Sequence, residues 1–276
     1  MRVALIQMTG TDDPAENIAR VEADIRTAAA DGAGFVLTPE VVNCISASRT
    51  HQNAVLTTEA DDPMRAALSA LAAELGLWVL AGSIAVKTDD PDGRFANRSL
   101  LIGPDGGVAA RYDKLHMFDV ALSETESYRE SAGFRPGDHA VVANAGFARI
   151  GLSVCYDLRF AALYRALAQA GAEILTVPAA FAVATGRAHW EPLLRARAIE
   201  TGCYVLAPGQ VGAHAAQAGA LRHTWGHSMV VDPWGAVVAD GGETPGIIFA
   251  DLDLGRVAEA RQRVPALSHD RAFAGP

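Results

Sequence analysis

Short apolar segments of strand length alternate along this chain with longer segments of helical period, and twice the alternation is broken by a hairpin. The strand-like runs are 2–8, 35–37, 77–81, 141–143, 148–154, 173–177, 204–207 and 247–252. Helical segments lie between them. Asp13-Pro14 opens one whose apolar face is Ile18, Val21, Ile25 and Ala29, with Gly32 and Gly34 beyond its end. Asp62-Pro63 opens a second, with Met64, Leu68, Leu71 and Leu75 on one side up to Gly76. Further helices are predicted over 157–170, 187–201 and 255–264. The hairpins are 97–112, turning at Pro104-Asp105-Gly106-Gly107, and 229–239, turning at Asp232-Pro233-Trp234-Gly235. Inserted hairpins exclude a purely parallel sheet. The pattern predicts an α/β chain with mixed sheets, a sandwich with helices outside, folded as one domain over 1–276 with an irregular tail from 265. Gly32-Ala33-Gly34 precedes a strand instead of following one, so it is not a dinucleotide fingerprint. Residues 113–138 and 209–224 lack a clear period and are predicted to be loops.

Composition narrows the partners. The residues are 50% hydrophobic and 20% charged, as in an ordinary soluble protein, and no run of about 18 apolar residues spans a membrane. A formal charge of −9 argues against nucleic acid or an anionic membrane surface as partner, although a local Arg or Lys can still hold a small anion. The start of the sequence lacks the apolar region and cleavage site of a signal peptide. Three cysteines without CxxC spacing fit a reduced, cytoplasmic chain.

The stretch from Ile150 to Arg159 places Cys155 in a tight turn between a strand and a helix, with Asp157 as that helix's expected N-cap. Free N–H groups and the positive helix end favour an anion there, which lowers a thiol pKa. A buried cysteine acting as a small hydrophobe is the competing reading. A cysteine nucleophile needs a base and an oxyanion stabiliser. Glu40, just beyond the 35–37 strand, can serve as base, and Lys114, at the head of the first long loop, as the cation. Taken singly, each is equally a solvated surface charge.

Three stretches carry a resemblance: Thr38-Pro39-Glu40, Arg111 to Asp119 (Arg-Tyr-Asp-Lys-Leu-His-Met-Phe-Asp), and Gly151 to Phe160. In this order they resemble the three motifs of the nitrilase superfamily, the carbon–nitrogen hydrolases. The likeness extends through Thr185 to Glu191 and from Trp225 to Gly235. It implies a four-layer α-β-β-α sandwich and a Glu-Lys-Cys triad: Glu40 as general base, Lys114 as oxyanion stabiliser, Cys155 as nucleophile. Glu130 matches a second family glutamate that orients the lysine and substrate, and the Tyr156 N–H would complete the oxyanion hole. Thr38 departs from the Leu or Phe usual before Pro-Glu. The residues after Lys114 are most similar to the branch of deaminated glutathione amidases and omega-amidases, and those from Leu194 to Glu200 and Gly226 to Gly235 to the former. The implied activity is hydrolysis of a small carboxylate-bearing amide to acid and ammonia through a cysteine thioester, without metal or cofactor. Omega-amidase action on α-ketoglutaramate or α-ketosuccinamate, or another amidase or carbamoylase of the superfamily, is the alternative. A carboxylate substrate calls for a cation, for which Arg159 and Arg187 are candidates, each equally a structural ion pair. The family pairs through outer helices, so a homodimer or higher homo-oligomer is expected, through the helix after Cys155 and the one from Arg187.

Other chemistries fit these residues less well. Gly151-Leu152-Ser153-Val154-Cys155 nearly spells a serine-hydrolase elbow, but Cys replaces the last Gly, and Ser153 should share a strand face with Cys155 as a supporting hydroxyl. His116 or His189 offers a Cys-His pair, and His214, His223 and His227 a metal site without an accompanying carboxylate or thiolate at ligand spacing. Trp190 and Trp234 are expected to be packing residues. A binding or scaffold protein on the same fold would not need Glu40, Lys114, Glu130 and Cys155 together.

Overall fold

The computed structural model describes residues 1–124, 126–217 and 221–275. The first half runs β1 (Arg2–Gln7), α1 (Pro14–Ala30), β2 (Phe35–Leu37), α2 (Arg49–Val55), α3 (Pro63–Leu75), β3 (Trp78–Val86), β4 (Ala96–Ile102), β5 (Val108–Asp113). A small hairpin, β6 (Asp119–Ala121) and β7 (Ser127–Arg129), leads into the second half. That half runs β8 (Val141–Asn144), β9 (Arg149–Leu152), α4 (Ala161–Gln169), β10 (Ile174–Thr176), α5 (Val183–Thr201), β11 (Tyr204–Ala207), β12 (Val211–His214), β13 (Arg222–Trp225), β14 (Met229–Val231), β15 (Val237–Asp240). The last elements are β16 (Gly246–Asp251) and α6 (Gly255–Arg263).

Two six-stranded sheets result, β16-β1-β2-β3-β4-β5 and β8-β9-β10-β11-β14-β15. Both follow one plan. Three parallel strands stand in the middle (β1-β2-β3, β9-β10-β11), followed by an antiparallel pair and flanked by one antiparallel strand at the other edge. Period-two alternation assigns the faces. Val3, Leu5, Phe35, Leu37 and Leu101 pack between the sheets with Ile150, Leu152 and Leu206, while Ala4, Ile6, Val36 and Val79 pack under Val21, Ile25, Leu68 and Leu71 of α1 and α3. Helices α4 and α5 cover the second sheet through Leu163, Tyr164, Leu167, Trp190 and Leu194. The layers are α-β-β-α.

Both helices expected to open at Asp-Pro do so, with the Asp as N-cap: Asp13 accepts from Ala15 N and Asp62 from Arg65 N. Other expectations fail for physical reasons. Asp157 does not cap α4. The chain first makes a 3-10 turn over Cys155–Arg159, and Asp157 lies inside it, fully buried, bonded back to the Val154 N–H at 2.9 Å. The N-cap position belongs to Phe160, which has no side-chain cap. Helix α4 therefore buries Leu163, Tyr164, Leu167 and Ala168 and leaves Ala161 and Ala162 exposed. Helix α2 falls in a stretch with no predicted element, and α5 starts ahead of Arg187. Both stretches expected to be loops contain hairpins, β6–β7 and β12–β13, though Ala218, Gly219 and Ala220 of the second lie outside the described residues. Short strands with mixed polar faces give no period to read. The tail from Pro265 makes one 3-10 turn at Ala266–Ser268 and is otherwise irregular as far as Gly275.

One glycine decides how the sheets' ends meet. Strand β3 shifts register between Ala81 and Ile84, and there Gly82 N donates to Thr38 Oγ1 at 3.0 Å. A Cβ on Gly82 would stand 1.9 Å from Thr38 O and 2.6 Å from both Pro39 O and Pro178 Cβ. Next to it, Ser83 Oγ accepts from Val41 N at 2.8 Å. Thr38 thus ties Gly82 to the turn that carries Glu40. Gly82→Ala has no flexible neighbour to displace, only backbone and proline ring. It is expected to lower stability by about 2–4 kcal/mol, read as a fall in denaturant midpoint at unchanged m-value.

Candidate active site

Four elements deliver their ends to one cavity. Glu40 follows β2, Lys114 follows β5, Cys155 follows β9, and Glu130 follows β7. The cavity holds about 640 Å³ and is lined by these four side chains with Asn97, Tyr156 and Arg222 among others. Lys114, 2% exposed, donates from Nζ to Glu40 Oε1 at 2.9 Å and to Glu130 at 2.9 Å (Oε1) and 2.8 Å (Oε2). Glu40 Oε1 also accepts from Asn97 Nδ2 at 2.9 Å, and its Oε2 from the Ala180 N–H at 2.8 Å. Glu130 is fixed in turn by Phe118 N at 2.6 Å and by Asn97 Nδ2 at 3.3 Å. Asn97 thus bridges the two carboxylates, a role its place in an apolar strand did not disclose.

The ionisation states follow from burial against charge. Burial pushes the Glu40 carboxyl up, but Lys114 and Arg222, with the Lys114 hydrogen bond, outweigh it and hold its pKa below the usual carboxylate value. Burial likewise opposes the Lys114 ammonium, and Glu130 and Glu40 more than reverse it, so the lysine stays charged. For Cys155 burial and the Glu40 charge act together and outweigh Lys114, raising the thiol well above its ordinary value. The direction is opposite to the lowering expected from a strand-to-helix turn alone. Two carboxylates already face one ammonium, so a third negative charge on sulfur has no counter-ion. The resting group is a thiol beside an ionised carboxylate.

Cys155 sits at a strained point. Its φ is +50°, its N–H donates to Pro178 O at 2.9 Å, and Val41, next to Glu40, has φ +46°. Side chains rarely adopt this region, least of all β-branched ones. The Cys155 turn is held by the Asp157 carboxylate, which accepts from Val154 N, from His116 N at 3.0 Å and from Tyr112 OH at 2.6 Å. The Tyr156 N–H, in the first turn of the 3-10 segment, has no acceptor among the described residues.

The remaining candidates fall outside the cavity. Arg159 lies against His189 Nδ1 at 3.3 Å and over the Tyr156 and Phe181 rings; Arg187 is exposed over Trp225. Neither lines the cavity, whereas Arg222 does. Arg222 carries no signal in the sequence, because its hairpin has no readable period. Ser153 is fully buried behind the Cys155 turn as a supporting hydroxyl. Its hydroxyl donates to Thr176 O at 2.7 Å and therefore accepts from Tyr164 OH at 2.6 Å. His116 is bound through Nδ1 to Asp157 at 2.7 Å and stacked on Phe160 at 3.5 Å. Trp190 is a packing residue, 1% exposed, while Trp234 is 51% exposed beneath Arg263. His214 spends Nδ1 on Gly10 O at 2.8 Å and Nε2 on Thr224 Oγ1 at 2.7 Å, and His227 Nδ1 meets Asp240 at 3.0 Å. Cys44, Cys155 and Cys203 are all free and buried.

A family model described as carbon–nitrogen hydrolase matches residues 2–262. A deaminated glutathione amidase of Yersinia enterocolitica is 38% identical to this chain over 270 residues, covering 98% of this chain and 92% of that protein. Omega-amidase NIT2 of Bos taurus is 36% identical over 271 residues, covering 98% and 95%. Among solved structures, Saccharomyces cerevisiae Nit3, a member of branch 10 of the nitrilase superfamily, superposes with a TM-score of 0.85 at 29% identity, over 99% of this chain and 97% of that one. An amidase of Nesterenkonia sp. AN1, carrying acrylamide added at its active site cysteine, superposes with a TM-score of 0.78 at 27% identity, over 96% and 98%.

The thiol beside Glu40 should be the one that reacts. Iodoacetamide is expected to label Cys155, whose thiol has the Glu40 carboxylate beside it to take the proton, before Cys44, whose thiol meets only the Asp12 carbonyl, and before the fully buried Cys203. Glu40→Gln should slow Cys155 labelling by about 100-fold, measured by mass spectrometry of the peptides. The buried His214 predicts acid lability. Burial, opposed by the Gly10 carbonyl, lowers its pKa from 6.5 to about 4, so the folded state favours the neutral ring. That stability is full above pH 6.5 and is lost as pH falls towards 4. Between pH 7 and 5 the unfolding free energy should drop by about 2 kcal/mol from this group, a drop absent in His214→Gln.

Proposed function

Since the chain belongs to the carbon–nitrogen hydrolase family, we propose that it is a thiol-dependent amidase and that the cavity around Cys155 is where it acts. The observation that carries this reading is the buried Glu40–Lys114–Glu130 ion network facing the Cys155 thiol. An ionised carboxylate next to a neutral thiol is a general base with its substrate proton in place. Cys155 Sγ attacks the amide carbonyl as Glu40 takes the thiol proton, so no free thiolate accumulates. The carbonyl oxygen gains the charge. The Tyr156 N–H is available for it, and Lys114 can give one of its Glu130 contacts to it, since its three protons serve only two carboxylates. Glu40 passes the proton to the departing nitrogen, the C–N bond breaks, and a thioester on Cys155 remains. Water, deprotonated by Glu40, then cleaves the thioester to acid and free thiol. Glu130 and Asn97 hold the lysine and base in register throughout.

The substrate class we propose is a small amide bearing a carboxylate, of the deaminated glutathione type, in keeping with the relative from Yersinia enterocolitica. The bovine omega-amidase keeps α-ketoglutaramate as the second reading. With a primary amide the leaving group is ammonia. In deaminated glutathione the amide nitrogen carries a peptide, so there an amine leaves. We propose a reduced, cytoplasmic setting, where three free thiols persist, and a homodimer through the outer faces of α4 and α5. Exposed Ile199 on α5 and Trp234 beside it, 57% and 51% accessible, support the second surface. No described helix is long and apolar enough to cross a membrane.

Wild type and Cys155→Ala should be assayed for amine or ammonia release from deaminated glutathione and α-ketoglutaramate. The expected result is turnover of the first above the second, and loss of at least about 10³-fold in kcat without the thiol. A reversed preference assigns the omega-amidase activity, and turnover that survives in Cys155→Ala refutes the thioester route.

A further inference from the structure

Of the cations lining the cavity, most are already engaged. Lys114 is held between two carboxylates. Arg49 donates to the carbonyls of Gly133 and Gly93 and lies 3.8 Å over the Phe95 ring. Arg129 is exposed and lends its charge to Asp119. Arg222 differs. It is half-buried, it donates one Nη2 bond to Ala180 O at 2.9 Å, and among the described residues no carboxylate stands within ion-pair distance of it. Most of its donor fork is open to the cavity.

Its placement relative to the base is fixed by one residue. Ala180 gives its N–H to Glu40 Oε2 and its carbonyl to Arg222. Guanidinium and carboxylate therefore flank a single peptide residue, and the charge of Arg222 is felt both at Glu40 and at Tyr128 of β7. The strand bearing Arg222 is itself anchored. Thr224 bridges Ala182, Trp225 N donates to Phe181 O at 2.9 Å, and His214 pairs opposite Arg222. Electrostatics adds a requirement. Glu40 and Glu130 against Lys114 leave the floor of the cavity with one excess negative charge, which repels an anionic substrate unless a further cation offsets it.

We propose that Arg222 is the anion-binding end of this site, taking a substrate carboxylate that lies a few bonds from the amide carbonyl and so selecting short acid amides over neutral ones. The proposal rests on the amidase reading above. Arg222 is a binding residue and takes no part in bond making. Its planar fork suits a carboxylate in a bidentate pair, which a lysine cannot reproduce.

The test compares succinamate with its uncharged counterpart butyramide in wild type, Arg222→Gln and Arg222→Lys, each checked for an unchanged thermal midpoint. Losing Arg222 also weakens the hold on Glu40's charge and slows both substrates together, so the readout is the ratio of their kcat/KM values. That ratio is expected to fall about 30- to 100-fold in Arg222→Gln, through KM, and to recover in part in Arg222→Lys. A ratio within about threefold of wild type overturns the proposal. A second readout needs no turnover: the relative rates at which iodoacetate and iodoacetamide alkylate Cys155. If no amide is hydrolysed, the amidase reading fails while this ratio still decides the role of Arg222. A drop in Arg222→Gln upholds an anion site, and an unchanged ratio removes it.

Discussion

A lysine ammonium buried to 2% exposure cannot stand without anionic partners, and the architecture around Lys114 is arranged to supply two. Desolvating three charges is expensive, and such a cluster rarely adds net stability over an apolar packing of the same volume. Its presence at the floor of a cavity is therefore better explained by chemistry than by folding. It also imposes strict demands on the backbone. The end of β2 must bring Glu40, the end of β5 must bring Lys114, and the β6–β7 hairpin must close so that Glu130 reaches across. Removing the lysine leaves two buried carboxylates facing one another without the cation between them, so the pair of acids depends on it.

The same demand accounts for two of the three non-glycine residues with positive φ among the described residues, His227 lying apart from the site. Val41 and Cys155 both carry positive φ, and both lie directly beside groups of the network. Each is held by several bonds: Val41 by Ser83 Oγ, Cys155 by Pro178 O and by the Asp157 carboxylate beneath its turn. Asp157 illustrates how a residue can be correctly singled out and given the wrong task. An acidic residue after a strand and before a helix suggests an N-cap, but the positive φ at Cys155 turns its side chain inward, where Tyr112, His116 and Val154 consume it. No local pattern distinguishes the two outcomes, because the inward partners come from β5 and the segment after it.

The helices with strong apolar faces, the three parallel strands of each half and both predicted hairpins were legible, because burial on one face imposes a period that survives in one dimension. Glu40, Lys114, Cys155 and Glu130 were legible through their motifs and meet in one cavity. What escaped was everything whose environment is made by distant chain. Asn97 is an ordinary strand residue until Glu40 and Glu130 arrive on either side. Arg222 lies in a short hairpin with no readable period, whereas Arg159 and Arg187, the cations the sequence suggests, face rings and solvent. The thiol's ionisation is likewise not set by local geometry. A helix end favours a thiolate, but the nearby carboxylates, invisible in sequence, carry more weight.

The two halves also explain why the site lies where it does. Leu37 pairs Leu80 and Thr38 N donates to Leu80 O, while Thr176 pairs Leu206 and Val177 N donates to Leu206 O, with Pro39 and Pro178 each next in line. These are equivalent strand ends on two sheets of one plan, and Gly82 permits them to touch. After the proline the halves diverge. One end continues directly into Glu40; the other passes through Ala179 to Ala180, whose N–H holds the Glu40 carboxylate and whose carbonyl holds Arg222. A side chain with a charge is therefore used on one side only, and plain backbone on the other. Two acidic residues at equivalent ends would have met without a second lysine between them. The repeat supplies the meeting point, and the loss of its symmetry supplies the chemistry.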